Sequence, residues 1–436
     1  MDRLRRIKKR LLENSFDNLV WLVMVGPSLV GYQISRKKIF VPFWIIHLSL
    51  LAYVYGVGTV VYQATHAQRA SDFIKSYVNV SLFVLVANNS YWWIKERPPY
   101  TSQAASVGGD SELAVDESSS DFEADDDEAD DDEAPQGLED IVASSISTSQ
   151  TDLLRSVLKK AKESDTKTIQ AGLFVEKYER SLSLIKRILL VFYTVNTINE
   201  FTTYLPRRTD MNADTFSMTP CVGIEPLTSF PQREICIALI SIQEITILNT
   251  THSFQTVMLL LLAHTSVMYR LLSDEITTFS TLLTDPRNYD FVKGRLPVII
   301  YRHVLILDIT KDLRALYSIP MGINFGSNAV CLCFFFFLEP AEYLSFMPIV
   351  VYCFIVFSLY CFLGQRLTDG AEMFSQAVYN SGWEMMHTKE RRAIVFMLLQ
   401  SQKEVDLLAA DLIPVNMSTF ATTCQAIYQF ATVFKL

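Results

Sequence analysis

Long uncharged apolar runs, separated by more polar segments, follow one another along this chain of 436 residues. A helix needs about 20 predominantly apolar residues to cross a bilayer, and several of the runs reach that length. They predict seven spanning helices, at about 39–63, 73–94, 183–204, 235–269, 315–338, 342–365 and 413–436. The pattern therefore predicts an all-α, polytopic membrane protein.

The fourth run is too long for one crossing, so two interpretations are open. It forms either one helix that projects beyond the bilayer or two helices that are broken near 249–252. The apolar pieces on either side of that point are short for two crossings, which favours projection. A shorter apolar stretch at 19–32 contains Gly26 and Pro27, and it predicts a helix in the membrane interface rather than an eighth span.

Polar side chains form a single stripe along the last run. They follow one another at steps of four, three, four and three, which places them on one helical face: Ser418, Thr422, Gln425, Gln429 and Thr432. Lipid offers such groups no hydrogen bonds, so the stripe should face either a water-filled path or other protein. The first alternative predicts a pore-lining helix, and the second predicts a polar seam between helices.

Basic residues fix the expected orientation. Nine Lys and Arg residues precede the first span, whereas the loops assigned to the outside contain only Arg69, Arg207, Arg208 and Arg233. By the positive-inside rule, the N-terminus is cytoplasmic, and seven crossings then place the C-terminus outside. This polarity is the reverse of a G-protein-coupled receptor. The Asp-Arg-Tyr and Asn-Pro-x-x-Tyr motifs of that class are also missing.

A dense acidic block interrupts the first cytoplasmic loop. Residues 110–140 contain 16 Asp and Glu and no Lys or Arg, so the rest of the chain carries +7 although the net charge is -9. Such a composition cannot bury enough apolar surface to fold, which predicts a disordered insert. A calcium-binding or partner-binding role is the alternative, but the ligand spacing and turn glycine of an EF-hand are missing.

The sequence contains no recognisable catalytic arrangement. Gly-rich phosphate loops, the His-Glu-x-x-His motif and the Gly-x-Ser-x-Gly motif are all missing, so we expect no enzyme, no cofactor and no nucleic-acid partner. No Cys and His cluster has zinc-site spacing, and we expect no metal. Cys221 and Cys236 lie in or beside the long outer loop, where a disulfide between them is plausible, although spacing does not establish it.

The last 77 residues carry a set of short motifs in a fixed order. They are Tyr-Cys-Phe-Leu-Gly at 360–364, Ala-Val-Tyr-Asn-Ser-Gly-Trp at 377–383, Leu-Gln-Ser-Gln-Lys at 399–403, Thr-Phe at 419–420 and Tyr-Gln-Phe-Ala-Thr-Val at 428–433. This order and spacing resembles the insect odorant receptor family. Glu404 and Gln429 stand where the family commonly has Pro and Ser. The acidic insert argues for a ligand-specific subunit rather than the shared co-receptor, whose extra length lies in the second cytoplasmic loop.

The resemblance implies an odorant-gated, non-selective cation channel of four subunits, a heterotetramer with co-receptor subunits, in which each seventh helix lines a central pore. Val433 then matches the hydrophobic gate of the family, and Thr432 and Gln429 face the ion path beside or below it. A cytoplasmic anchor region at 366–412 would join the subunits. Our candidates for its buried contacts are Trp383, Met385, Met386, Phe396 and Leu399, for each of which packing within one subunit is the alternative.

The resemblance also implies a small volatile odorant, bound in the outer half of the bundle between the second, third, fourth and sixth spans. Our candidates for that pocket are Val80, Phe83, Val84, Tyr193, Asn196, Thr197, Phe201, Phe346, Val350 and Tyr352. Their mixture of apolar, aromatic and polar side chains is typical of a small-molecule site. Membrane lipid is the remaining partner, and the plasma membrane of an olfactory neuron dendrite is the implied location.

Two other classes of function are weighed against this one. A gustatory receptor channel is the near alternative, but its terminal Thr-Tyr element is incomplete here. A secondary transporter is the remote one, and it would show internal repeats. The expected organisation is 1–97 with the first two spans, 98–150 as a disordered insert, 151–365 with spans three to six, 366–412 as the anchor region and 413–436 as the pore helix.

Overall fold

The computed structural model describes residues 10, 13–29, 41–68, 70–94, 150–172, 174–201, 205–210, 218–336 and 343–434. The acidic block at 110–140 lies outside the described residues, and so does the rest of the predicted insert before Gln150. Within the described residues the protein is almost wholly helical. Its helices are α1 (Phe16–Leu29), α2 (Val41–Thr65), α3 (Ala70–Ile94), α4 (Gln150–Ala171), α5 (Val175–Asn199), α6 (Leu205–Arg208), α7 (Gln232–Leu282), α8 (Tyr289–Phe335), α9 (Tyr343–Tyr379), α10 (Thr388–Ser401) and α11 (Met417–Phe434).

Each of the seven predicted spans corresponds to a helix: α2, α3, α5, α7, α8, α9 and α11. Four helical stretches are long and apolar enough to cross a membrane by composition alone: Val41–Thr65, Val175–Asn199, Gln232–Leu282 and Met347–Met385. The other three are more polar. In α3, for example, Asn79, Asn88 and Asn89 are buried inside the bundle, where neighbouring helices rather than lipid surround them.

α7 is the centre of the bundle. It runs unbroken through 51 residues, about 76 Å, so the predicted projection is confirmed and the alternative break near 249–252 is excluded. Every side chain from Thr250 to Ser266 is buried. α7 packs most extensively against α9, and also contacts α1, α2, α3, α5 and α8. A helix that is surrounded by protein must be apolar on every face, or its polar side chains must make their hydrogen bonds within the protein.

α1 differs from the predicted interfacial position. Phe16, Leu19 and Val23 form one buried face of this helix, at spacings of three and four residues, and that face packs along α7. The ring of Phe16 lies 4.2 Å from that of His264, whereas Gly26 lies against Asn249 near the middle of α7. The helix therefore runs lengthwise along α7 rather than across the surface of the bundle.

α8 contains a proline in the middle of its buried length. Pro320 has no N–H to donate to the carbonyl oxygen of Leu316, four residues earlier. The indole Nε1–H of Trp92, on α3, donates to that oxygen at 3.0 Å. The Nδ2 groups of Asn88 and Asn324 both donate to the carbonyl oxygen of Pro320, at 3.2 and 2.8 Å. Side chains of α3 therefore supply hydrogen bonds where a proline weakens the helix.

The last helix begins later than predicted. A two-stranded antiparallel hairpin precedes it, with β1 at Leu408–Ala409 and β2 at Ile413–Pro414, so residues 413–416 are not helical. Asn416 caps α11, because its Oδ1 accepts from the N–H of Thr419 at 2.9 Å. α9 also continues through the predicted segment boundary at 365/366 to Tyr379, so this boundary does not coincide with the end of a helix.

Candidate functional site

A cavity lies between α2, α3, α5, α7 and α9. It holds about 620 Å³ of space including its opening to solvent. Six of the lining side chains are aliphatic, and the others are polar or phenolic. They are Tyr55, Leu82, Leu85, Val86, Asn196, Asn199, Glu200, Glu244, Ile247, Leu248, Thr251, His252, Ile349 and Tyr352.

Helical spacing explains how each element contributes to this cavity. α3 presents Leu82, Leu85 and Val86, and α5 presents residues 196, 199 and 200, both in the pattern i, i+3, i+4. α7 adds residues 244, 247, 248 and 251 on one face, and α9 adds Ile349 and, three residues on, Tyr352. The cavity is thus bounded by single faces of four helices, closed on a further side by Tyr55 of α2.

Hydrogen bonds fix several of the polar lining groups. The hydroxyl of Tyr55 donates to the Glu244 carboxylate, at 3.0 Å from one oxygen and 3.2 Å from the other. Asn196 donates from Nδ2 to the carbonyl oxygen of Phe192 at 2.8 Å. The hydroxyl of Tyr352 accepts from the amide of Gln255. These bonds hold the polar groups in place before any ligand enters, which lowers the entropy cost of binding.

Two of the ten pocket candidates line the cavity, namely Asn196 and Tyr352. Tyr193 lies next to it and bonds Thr256 at 3.0 Å instead. Val80, Val84 and Phe201 are exposed on the outside of the bundle, Phe83, Thr197 and Val350 are half-buried without lining the cavity, and the side chain of Phe346 lies outside the described residues. On α3 the structure therefore places the inward face one or two residues away from the predicted one.

The most informative lining residues missing from that set are Glu200 and Glu244. Glu244 is buried in the fourth apolar segment, and Glu200 ends the third. An ionisable side chain inside a span is itself a signal of function, because an apolar segment carries such a cost only where the group has a role. With Thr251 and His252, they form the polar part of the cavity wall.

The stripe on α11 faces away from its own bundle. Ser418, Thr422, Gln425, Gln429 and Thr432 are all exposed, whereas Ile427 and Ala431 on the opposite face are buried. Val433 lies beside the stripe and is 69 % exposed. Within the described part of the chain, no helix covers this polar face. It is therefore available to a neighbouring subunit or to an aqueous path.

Hydrogen bonds and close packing hold the hairpin at the start of α11. Ser318 of α8 accepts the N–H of Ala410 on its carbonyl oxygen and the N–H of Asp411 on its hydroxyl, both at 2.8 Å. A Cβ on Gly322 would lie 2.6 Å from that of Ala410, and a Cβ on Gly364 would lie 1.9 Å from the carbonyl oxygen of residue 415. Only glycine permits these approaches of α8 and α9 to the hairpin.

α9 contacts both the cavity and α11. Its residues 349 and 352 line the cavity, and the rings of Phe354 and Phe357 lie 5.5 and 5.2 Å from that of Phe420 on α11. These residues fall within three turns of one helix. One helix therefore contacts both the cavity and the helix that carries the polar stripe.

The predicted anchor residues separate into two groups. Met385, Phe396 and Leu399 are more than half exposed, and Trp383 is half-buried. Met386 is instead 3 % exposed and packs in the core of its own chain, which is the alternative considered for each of these residues. An exposed cluster of large apolar side chains on a soluble region is typical of a protein interface.

Buried ionic groups lie where the C-terminal part of α7 packs against the N-terminal part of α8. Arg302 donates to Glu275 at 2.5 Å, and Arg295 lies 3.2 Å from the other carboxylate oxygen. Burial lowers the pKa of Arg302, which the ion pair with Glu275 opposes. Burial also lowers the pKa of His303 to about 4, and its ring lies 4.4 Å from that of Phe374.

Cys221 and Cys236 form a disulfide with a Cα–Cα distance of 5.7 Å, at the outer end of α7. Both cysteines are buried, together with Ile240. The bridge ties the loop before α7 to its first turn. Among the described residues, no group of three or more His, Cys, Asp or Glu side chains could hold a metal ion.

Comparison with solved structures shows the fold. The structure of the insect olfactory receptor OR5 from Machilis hrabei is 12 % identical in sequence, with a TM-score of 0.59 over 90 % of this chain and 86 % of that chain. The same receptor in complex with eugenol gives 13 % identity and a TM-score of 0.59, over 89 % of this chain and 86 % of that chain. At this identity, the likeness concerns the fold alone.

Sequence comparison shows the family. Odorant receptor 85b of Drosophila melanogaster is 27 % identical over 31 % of this chain and 36 % of its own length, and Odorant receptor 67a is 25 % identical over 31 % and 35 %. These matches span about a third of the curated relatives. The model of the 7tm Odorant receptor family matches residues 148–428, which is more than half of the chain. The chain therefore belongs to the 7tm odorant receptor family and is a multi-pass membrane protein.

Proposed function

We propose that this protein is the odorant-binding subunit of a ligand-gated, non-selective cation channel. The observation that carries the proposal is the arrangement of α9. One part of this helix lines the cavity, and an adjacent part packs on α11, whose polar face is uncovered. Ligand binding and pore opening are thereby linked through one helix, α9.

The cavity is the ligand site in this proposal. Its aliphatic walls and its fixed polar groups suit a small molecule that is partly apolar and partly polar. The complex of a structurally similar insect receptor with eugenol supports a ligand-binding role for the fold. A ligand that fits the cavity better in one position of α9 shifts the population towards that position.

α11 lines the pore in this proposal. It carries no charged side chain between Met417 and Phe434, so amide and hydroxyl groups replace part of the ion's hydration shell. Such a lining discriminates weakly among small cations. Val433, exposed beside the stripe, closes the path by dewetting when it and the matching side chains of the other three subunits approach each other, and a small outward movement of each helix wets it.

The assembly is a tetramer with co-receptor subunits, joined through the anchor region. Phe396 and Leu399, 69 % and 56 % exposed, lie on one face of α10 at a spacing of three residues. Met385 extends the same apolar surface. The N-terminus is cytoplasmic and the C-terminus extracellular, in the plasma membrane of an olfactory neuron dendrite.

The test is expression of the full chain with the odorant co-receptor in a non-olfactory cell, with whole-cell current recorded during a broad odorant panel. We expect odorant-evoked current that reverses near 0 mV in mixed Na⁺ and K⁺, because the pore discriminates weakly between these ions. Val433→Ala should raise the basal current, because the smaller alanine side chain leaves a wider constriction that water enters more readily. The control is Val191→Ala, an exposed valine on α5. Absence of current despite surface labelling of the protein would refute the proposal.

A further inference from the structure

Hydrogen-bond acceptors outnumber donors in the wall of the cavity. Glu200 and Glu244 both line it, and an ionised carboxylate accepts hydrogen bonds but donates none. Each carboxylate offers about four acceptor positions. Among the described residues of the lining, none is Lys or Arg. A molecule that enters the cavity therefore meets mainly acceptors.

Two of the nearby donors are already directed at protein atoms. The single hydroxyl hydrogen of Tyr55 is directed at Glu244, and one amide hydrogen of Asn196 is directed at the carbonyl oxygen of Phe192. Further partners of either carboxylate each occupy one acceptor position. The excess of acceptors remains, because two carboxylates together provide about eight such positions.

Thr251 supplies an independent sign that a polar ligand group belongs here. It lines the cavity, is 5 % exposed, and its hydroxyl oxygen has no hydrogen-bond partner among the described residues. A buried hydroxyl without a partner costs free energy that a ligand recovers when it bonds to it. Thr251 lies two turns after Glu244 on the same face of α7, about 10 Å along the helix.

The aliphatic side chains complete the description of the ligand. Leu82 and Leu85 on α3 and Ile349 on α9 form apolar walls beside the polar groups of α7. An apolar molecular body would gain free energy by leaving water for this surface. Its polar end must then satisfy the acceptors that it dehydrates.

We propose that the cavity selects small apolar molecules that carry at least one O–H or N–H donor, such as alcohols, phenols and protonated amines. This inference rests on the proposed ligand-binding function of the same cavity. A ligand without a donor displaces water from the carboxylates and replaces none of its hydrogen bonds. A site built in this way rejects the isosteric ligand that lacks the hydrogen-bonding group.

The experiment compares four molecules with one skeleton: phenethyl alcohol, phenethylamine, phenethyl methyl ether and phenethyl acetate. Binding to the purified full-length protein is measured as ligand-dependent thermal stabilisation, which depends on affinity and not on channel opening. The alcohol and the amine should bind about 10- to 100-fold more tightly than the ether and the acetate, as expected for a hydrogen bond to a charged acceptor. Whole-cell current with the co-receptor is recorded for the same four molecules.

Three variants test the residues. Glu244→Gln and Glu200→Gln keep the shape of the side chain but remove the charge. Each removes one of the two carboxylates, so the ratio of the affinities for donor ligands and for the ether should fall to about its square root. Two variants are used because Glu244 also accepts from Tyr55, and Glu200→Gln keeps the test independent of any effect that Glu244→Gln has on folding. The matched control is Glu234→Gln, an exposed glutamate in the first turn of α7, which should leave the preference unchanged.

The outcomes separate this inference from the function on which it rests. Equal binding of donors and ethers, or an unchanged preference in both cavity variants, overturns the inference even if odorants evoke current. Donor-selective binding without current in any condition upholds it and refutes the proposed channel. If the amine binds more tightly than the alcohol, the charge of the carboxylates contributes to selection, and if they bind equally, the donor alone accounts for it. Both results support the inference.

Discussion

The proline of α8 offers a sharp test of how this bundle is held together. Pro320 leaves the carbonyl oxygen of Leu316 without its usual helical donor, and Trp92 of α3 supplies one at 3.0 Å. We predict that Trp92→Phe destabilises the protein strongly in the native background. In a Pro320→Ala background the same exchange should cost much less, because residue 320 then has an N–H to offer to that oxygen.

The magnitude follows from what each change removes. Phenylalanine keeps the aromatic packing of Trp92, whose ring lies 5.1 Å from that of Phe254 and 5.3 Å from that of Tyr317. The loss of the larger ring leaves a small cavity, which costs a similar amount in both backgrounds. The buried carbonyl that loses its partner costs about 1–3 kcal/mol, and only while residue 320 is proline. The coupling free energy should therefore be about 1–3 kcal/mol.

The assay is a double-mutant cycle on the purified protein in detergent micelles. Reversible unfolding is followed by circular dichroism during a denaturant titration, for the native chain, each single variant and the double variant. Destabilisation by Trp92→Phe that is equal within about 0.5 kcal/mol in the two backgrounds would refute the reasoning. The hydrogen bond would then add nothing beyond aromatic packing.

Three further predictions concern other parts of the fold. Gly364→Ala should displace the hairpin or destabilise the protein by about 1–3 kcal/mol, measured as loss of odorant-evoked current and of unfolding free energy, since its Cβ would meet a carbonyl oxygen at 1.9 Å. Gly326→Ala, whose Cβ would meet nothing within 4 Å, is the control, and equal effects would contradict the idea. Exchange of both Cys221 and Cys236 for serine should lower stability by about 2–4 kcal/mol, and insensitivity of the native protein's unfolding midpoint to reductant would argue against this. His303, with a pKa lowered to about 4 by burial, takes up its proton more readily when unfolded, so stability falls as pH drops from about 6.5 to about 4. Between pH 7 and pH 5 it accounts for roughly 2 kcal/mol of that loss, and His303→Phe should show a correspondingly shallower decline.

Hydropathy predicts the helices of this protein well, because a helix that crosses a bilayer needs a length and an apolarity that can be read from the sequence. The 51-residue length of α7 follows from the same rule. The start of α11 does not, since residues 413–416 are as apolar as the helix after them and pair instead with β1. That pairing depends on the approach of two glycines from other helices, which no local pattern reveals.

The cavity is less predictable because it depends on the rotation of each helix about its axis. Asn196 and Tyr352 were identified, whereas on α3 the choice of Val80 and Val84 over Leu85 and its neighbours was wrong for the cavity wall. Aliphatic side chains suit lipid and protein interior equally, so hydropathy does not distinguish these faces. Glu244 does distinguish them, because a carboxylate within a span must face protein or water.

Because α7 is long and unbroken, a small rotation of this helix moves its ends by a larger distance. The helix reaches from the disulfide at Cys236, past the cavity at Leu248, to the ionic cluster at Glu275. From the cavity to its last residue it extends about 50 Å. A rotation of α7 by only about 2° about a point at the cavity would therefore move its last residue by roughly 2 Å. A small adjustment of this helix at the cavity thus becomes an ångström-scale movement at its far end, without any bend.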